Sequence, residues 1–243
     1  MKKKNDTKKR LITTCTHGNE TFAQAVVDKL QQEFGRQTQN GFTTWVNNPR
    51  AVALQRRYAE ADLNRVGPGN LNSPVYEERR AAEVLLAARE FGPVIDIHGS
   101  VSNCGVFLIL SDANWQNIEL AKKLDVARVV LWPSLLPTGP LTQFIPESLE
   151  IECGPMSDPA VSVELERVLR RFLQQEPRTL AQQFYIVTGA LQDPTGALAA
   201  TPMQDFVETS YQGQKFTPLL VDQYTGIKCY QLQKLGDTLL SSE

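Results

Sequence analysis

Histidine and cysteine are scarce in this chain, and their scarcity limits its chemistry. Its 243 residues include two histidines, His17 and His98, and four cysteines, Cys15, Cys104, Cys153 and Cys229. No C-x-x-C pair occurs, so a cysteine zinc knuckle is excluded, and the wide spacing gives no sign of a disulfide framework. Long apolar runs are missing too. Nothing approaches the roughly 20 apolar residues that span a bilayer, and no apolar signal core follows the lysine-rich start. The expectation is a cytoplasmic protein without a membrane partner. Hydrophobic residues at 42% and charged residues at 21% exclude a disordered chain, and the length suits one large domain with a small appendage.

Basic charge is also absent from the body of the chain. Residues 1–10 carry six Lys or Arg against one Asp, so a net charge of −2 hides a tail of +5 on a body of −7. A nucleic-acid binder concentrates basic charge on a folded surface, so a solvated tail over 1–10 and no nucleic-acid partner are expected.

Strands and helices alternate through the first two thirds. Strands are expected at Leu11 to Thr16, Thr43 to Val46, Val94 to His98, Val106 to Leu110, Ala127 to Trp132 and Leu149 to Cys153. Helical spacing marks Phe22 to Phe34, Tyr76 to Phe91, Trp115 to Leu124 and Pro159 to Leu173. Asn47 to Arg65 reads as a turn followed by a long polar loop. This alternation predicts a three-layer α/β domain over 11–177. From about Phe184 the helical period fades and Tyr185 to Val187, Phe216 to Val221 and Ile227 to Leu232 look like strands, giving a small β-rich domain over 182–243.

Both histidines end strands, where α/β proteins collect ligands. His17 and Glu20 lie three residues apart after the first strand, and His98 closes Val94-Ile95-Asp96-Ile97-His98. Two imidazoles and a carboxylate form a common catalytic-zinc set with a fourth position open. The same spacing also arises by chance around surface or core histidines. Asp96 shares a strand face with His98, so it either orients that imidazole or caps a nearby element. Cys15 and Cys153 flank these motifs but have no further histidine to activate them, so they are expected to be structural.

Five motifs in order carry a resemblance: His17-Gly18-Asn19-Glu20, Asn48-Pro49-Arg50-Ala51, Arg57-Tyr58 with Asp62-Leu63-Asn64-Arg65, Asp96-Ile97-His98, and Ile151-Glu152-Cys153-Gly154-Pro155. Together they resemble the aspartoacylase and succinylglutamate desuccinylase family, which belongs with the zinc carboxypeptidases. Tyr76-Glu77-x-Arg79-Arg80-Ala81 and Ser102-Asn103-Cys104-Gly105 bring the likeness closer to aspartoacylase. The resemblance implies a zinc-carboxypeptidase-like domain with a central mixed sheet and one Zn2+ per chain on His17, Glu20 and His98. It further implies Glu152 as general base and acid, and Arg57 as the group polarising the scissile carbonyl. Asn64 and Arg65 would hold the α-carboxylate of an N-acyl amino acid, and Tyr224 is a candidate substrate contact.

The chain departs from that pattern where specificity is set. Family members place an arginine about ten residues before the catalytic Glu, and here Leu141-Thr142-Gln143 occupies the stretch. Glu150 stands where the family has glycine, on the strand face of Glu152, where a second carboxylate raises the pKa of the first. The expectation is hydrolysis of N-acyl amino acids with weakened selectivity for aspartate, unless Lys215 or Lys228 supplies the missing charge. Other deacylases, a small-peptide carboxypeptidase and a zinc-holding binding module are the alternatives. Homo-oligomerisation is left open.

Overall fold

A computed structural model describes residues 9–35, 41–133 and 136–236. The basic tail expected over 1–10 lies outside the described residues up to residue 8. The elements are β1 (Arg10–Thr14), α1 (Phe22–Phe34), β2 (Phe42–Val46), α2 (Pro49–Ala53), α3 (Tyr76–Ala88), β3 (Val94–Gly99), β4 (Gly105–Leu110) and α4 (Trp115–Lys123). They continue with β5 (Arg128–Leu131), β6 (Ser148–Gly154), α5 (Pro159–Gln174), β7 (Gln183–Asp193), β8 (Thr209–Tyr211), β9 (Gln214–Leu219) and β10 (Gly226–Lys234).

The strands form one mixed sheet in the order β2-β1-β3-β6-β4-β5-β7-β10-β9-β8. Strands β2, β1, β3 and β6 run parallel, β4 is antiparallel to β6, and β5 is parallel to both β4 and β7. The β-rich C-terminal stretch is thus joined to the central sheet by the β5–β7 pairing. Its outer strands β10, β9 and β8 pair antiparallel.

Side-chain alternation along the central strands separates core from site. Ile12, Ile95, Ile97, Leu149 and Ile151 face the layer of α1, α4 and α5, where Leu30, Leu120 and Leu165 complete the main core. On the opposite face the register aligns Thr13 with Asp96, Asp96 with Glu150, and His98 with Glu152. That face is covered by α3 near Leu11 and Val94, and by C-terminal residues such as Leu219 and Leu220 over Phe107 and Ile109. A half-polar strand such as β3 is therefore buried on both sides for different reasons.

Two local differences from the sequence reading have physical causes. The polar stretch after β2 contains α2 and a 3-10 turn at Leu63–Arg65. Five residues are too few to show a helical period, but Asn48 caps the helix by accepting from Ala51 N at 3.1 Å, and Pro49 takes its first turn. Strand β8 was not foreseen. It is three residues long and joins β9 through Gln212 and Gly213, whose φ of 48° and 80° give the left-handed pair that a tight hairpin requires.

Candidate metal centre and active site

The loop after β1 can sit where it does because residue 18 has no side chain. A Cβ on Gly18 would lie 2.1 Å from the carbonyl carbon of Ala51, so any other residue forces the loop off α2. Gly18 N donates to Arg57 O at 3.1 Å and Glu20 N to His17 O at 3.1 Å, a tight turn in which the His17 and Glu20 side chains are both buried. Gly99 N at the end of β3 then donates to Glu20 Oε2 at 2.9 Å, locking Glu20 beside His98.

The two imidazoles are used in the same way. Nδ1 of His17 lies 2.7 Å from Glu20 Oε1, and Nδ1 of His98 lies 3.4 Å from Glu20 Oε2. Each Nε2 meets a different carboxylate, Asp62 at 3.1 Å for His17 and Asp96 at 3.0 Å for His98. A carboxylate on Nε2 fixes the proton there and leaves the Nδ1 lone pair aimed at the common centre. Donor atoms of His17, Glu20 and His98 all lie within 4.8 Å of one another, and all three residues are buried. This donor set, with its outer carboxylates, fits a zinc ion. Burial alone pushes both imidazole pKa values down, and the flanking carboxylates more than reverse it. Burial raises Glu20, but the two histidines bring it down to about 2. The cluster is thus built to hold positive charge.

Asp96 is the hub of the outer layer. Besides His98 it accepts from Thr13 Oγ1 and Thr16 Oγ1, both at 2.7 Å, and from Asn47 Nδ2 at 3.2 Å. It orients the imidazole, one of the two roles left open by the sequence. Asp62 does the same for His17, a role not expected from its place in the Asp62-Leu63-Asn64-Arg65 motif. It also accepts from Arg57 Nε at 3.1 Å. Glu77, wholly buried on α3, accepts from three consecutive backbone amides, Ala59, Glu60 and Ala61, at 2.6 to 3.1 Å, and so shapes the loop carrying Arg57 and Asp62. Its only sequence signal was its place in the Tyr76-Glu77-x-Arg79 motif.

Arg57 lies 3.7 Å from Glu20 Oε1, beside the proposed metal position. Burial weakens its charge and the Asp62 carboxylate restores it, leaving a net upward shift. Glu152 stands next to His98 in register, buried, with its pKa pushed up to about 8 by burial and by the Glu20 carboxylate. Glu150 contributes in the same direction, as the sequence led one to expect. It does not line open space, however. Thr142 Oγ1 donates to it at 2.7 Å and Ser111 Oγ at 3.2 Å, and it lies 3.8 Å from His98 Nε2.

Asn64 is buried with its Oδ1 unpartnered, and Arg65, which is exposed, donates to the Asn64 carbonyl at 2.8 Å. Tyr224 comes from beyond β9 to lie 5.9 Å from the Arg57 guanidinium carbon, and burial and the Glu152 charge push its phenol up to about 12. Its ring is followed by Tyr230 at 6.0 Å and Trp132 at 4.4 Å from Tyr230, an aromatic row the sequence did not reveal. Lys228 is buried and donates to both Asp222 oxygens at 3.0 Å, while Lys215 is exposed near Glu208. Neither takes the place of the missing arginine through these contacts.

The family model for the Succinylglutamate desuccinylase/Aspartoacylase catalytic domain matches residues 6–177. The chain belongs to this family. Among curated relatives it is 26% identical over 182 residues to the N-acyl-aromatic-L-amino acid amidohydrolase (carboxylate-forming) B of Danio rerio, covering 64% of this chain and 57% of that protein. It is 35% identical over 123 residues to the aspartoacylase of Rattus norvegicus, covering 44% of this chain and 38% of the relative. The matches thus span about half or less of these relatives' lengths. Murine aminoacylase 3 shares the fold with a TM-score of 0.69 at 19% identity, over 93% of this chain and 95% of that one. A shared fold over 93% of this chain extends beyond residue 177, where the family match ends.

Proposed function

We propose that this family member is a zinc-dependent hydrolase that cleaves the amide bond of N-acyl amino acids. The observation that carries the reading is the convergence of donor atoms of His17, Glu20 and His98 within 4.8 Å, with Arg57 and Glu152 on its border. Zinc held by His17, Glu20 and His98 would supply Lewis acidity and bring the pKa of water toward neutrality. Glu152, buried and in register with His98, accepts a proton from the attacking water and returns it to the departing amine. Arg57, held by Asp62, presents fixed positive charge to the oxyanion that develops on the carbonyl. Asn64 and Arg65 would hold the substrate's α-carboxylate, with Asn64 buried beside the loop of Arg57 and Asp62 and Arg65 reaching solvent. The four buried free cysteines suit a reducing compartment, and we take the cytoplasm as the location.

For the amino-acid side chain, the reading favours neutral and aromatic groups over aspartate. Thr142 is occupied with Glu150, no arginine stands nearby in sequence, and the rings of Tyr224, Tyr230 and Trp132 form a row leading from Arg57. Loss of a charged bidentate partner is worth about 1.5–3 kcal/mol, or roughly tenfold to more than a hundredfold. The test is kcat/KM for N-acetyl-aspartate, N-acetyl-methionine and N-acetyl-phenylalanine on zinc-loaded protein. Neutral substrates should match or exceed aspartate. A preference for aspartate above about a hundredfold defeats the specificity reading, and no release of acetate from any of them defeats the function itself.

A further inference from the structure

Gln223 stands in none of the roles above, yet its side chain joins the C-terminal segment to the loop that follows His98. Its single Oε1 accepts from Val101 N at 2.9 Å, Ser100 Oγ at 3.0 Å and Ser102 N at 3.3 Å. An amide oxygen that collects three donors from consecutive residues acts as a cap on that loop, satisfying backbone groups that otherwise need water. A second tie supports the first. Ser102 Oγ bonds Asp205 Oδ2, and Asp205 Oδ1 accepts from Val221 N at 3.0 Å, so loop and turn are pinned at two points.

The turn is stiff on its own side as well. Leu220 and Asp222 both hold left-handed φ of 55° and 56°, and the buried Lys228 ammonium donates to both oxygens of Asp222. Adjacent to Gln223 in the chain is Tyr224, whose ring lies over Arg57 and whose phenol responds to the Glu152 charge. The contacts of Gln223 therefore fix the backbone one residue before Tyr224, which sets where that ring stands relative to Arg57. The family match stops at residue 177, so this connection uses a part of the chain outside the matched catalytic domain.

We infer that Gln223 is a positioning residue: its amide oxygen clamps the 100–102 loop and thereby holds Tyr224 over Arg57 at the mouth of the site. The inference rests on the hydrolase reading only for its activity readout. Gln223→Met keeps the side-chain length and removes the accepting oxygen, whereas Gln223→Glu keeps that oxygen. Misplacement of a contacting group by about 1 Å costs on the order of a hundredfold in rate, so Gln223→Met should lower kcat/KM for the best N-acyl substrate by about that factor. Zinc content should stay unchanged. Gln223→Glu should recover most of the loss, and Tyr224→Phe should cost much less in the Met background than in the wild type. Amide hydrogen exchange of Val101 and Ser102 should accelerate about tenfold or more in Gln223→Met and return with Glu. Should wild-type protein hydrolyse no N-acyl amino acid, the functional reading fails while exchange still decides the clamp. Unchanged exchange at Val101 and Ser102, or equal activity losses for Met and Glu, overturns the inference. So does full additivity with Tyr224→Phe.

Discussion

Replacing Asp96 by asparagine is the substitution whose consequences the geometry specifies most fully. The carboxylate is 2% exposed and faces four donors: Thr13 Oγ1 and Asn47 Nδ2 on Oδ1, and Thr16 Oγ1 and His98 Nε2 on Oδ2. An asparagine of the same shape keeps one oxygen. If its nitrogen takes the His98 side, that ring must move its proton to Nδ1, the atom that faces Glu20 and that a metal needs. If the nitrogen takes the other side, it confronts Asn47 Nδ2, another donor. Either way one or two bonds to a charged acceptor disappear, each worth about 1.5–3 kcal/mol, so the loss is about 1.5 to 6 kcal/mol of a stability near 5–15 kcal/mol. Metal affinity should fall about 10- to 100-fold, the usual cost of removing an outer-layer partner. Urea unfolding and zinc competition against a chelator measure the two effects. A variant with wild-type midpoint and wild-type zinc affinity would refute the reasoning about the hub.

Three further outcomes are expected. With metal removed, Glu152 keeps its raised pKa, so the folded state binds more protons than the unfolded one between about 4.5 and 8. Metal-free wild type should therefore lose stability relative to Glu152→Gln as pH rises through that window and level off above it; parallel pH profiles of the two proteins would contradict this. Gly18→Ala should disturb the His17 loop, because its Cβ meets the Ala51 backbone at 2.1 Å, and should lower zinc affinity at least tenfold by the same competition assay. Asp125 is buried and accepts from Thr179 N, Leu180 N and Arg167, tying α5 to the entry of β7, and these donors hold its pKa below the usual range. Its contribution is complete above about pH 4 and is lost as pH falls through its depressed folded-state value, so Asp125→Ala should cost about 2–5 kcal/mol at pH 7 and clearly less at pH 2, measured by denaturant midpoint.

The cluster of His17, Glu20 and His98 was legible because each residue lies in a short motif at a strand end, and strand ends are where sequence pattern and fold geometry coincide. Helices α1, α4 and α5 were equally readable from apolar spacing, and in the structure Asn114 and Asp158 cap the last two. Helix α2 hid within polar sequence, since tertiary contacts of Gly18 and Glu77, not an apolar stripe, hold that region. The outer roles of Asp62 and Gln223 could not be read at all: they depend on approaches across 45 and more than 120 residues of chain. The aromatic row has the same origin, for Trp132 and Tyr230 meet only because β10 and β5 both pair with β7.

The central claim is that His17, Glu20 and His98 hold one catalytic zinc ion. Its most direct test is metal content and acetate release measured together on wild type, His98→Ala and Glu152→Gln. Wild type should bind about one zinc per chain and hydrolyse an N-acetyl amino acid, His98→Ala should lose both, and Glu152→Gln should keep the metal while losing about 10² to 10⁴ in kcat. A His98→Ala protein with full zinc and full activity would contradict the account.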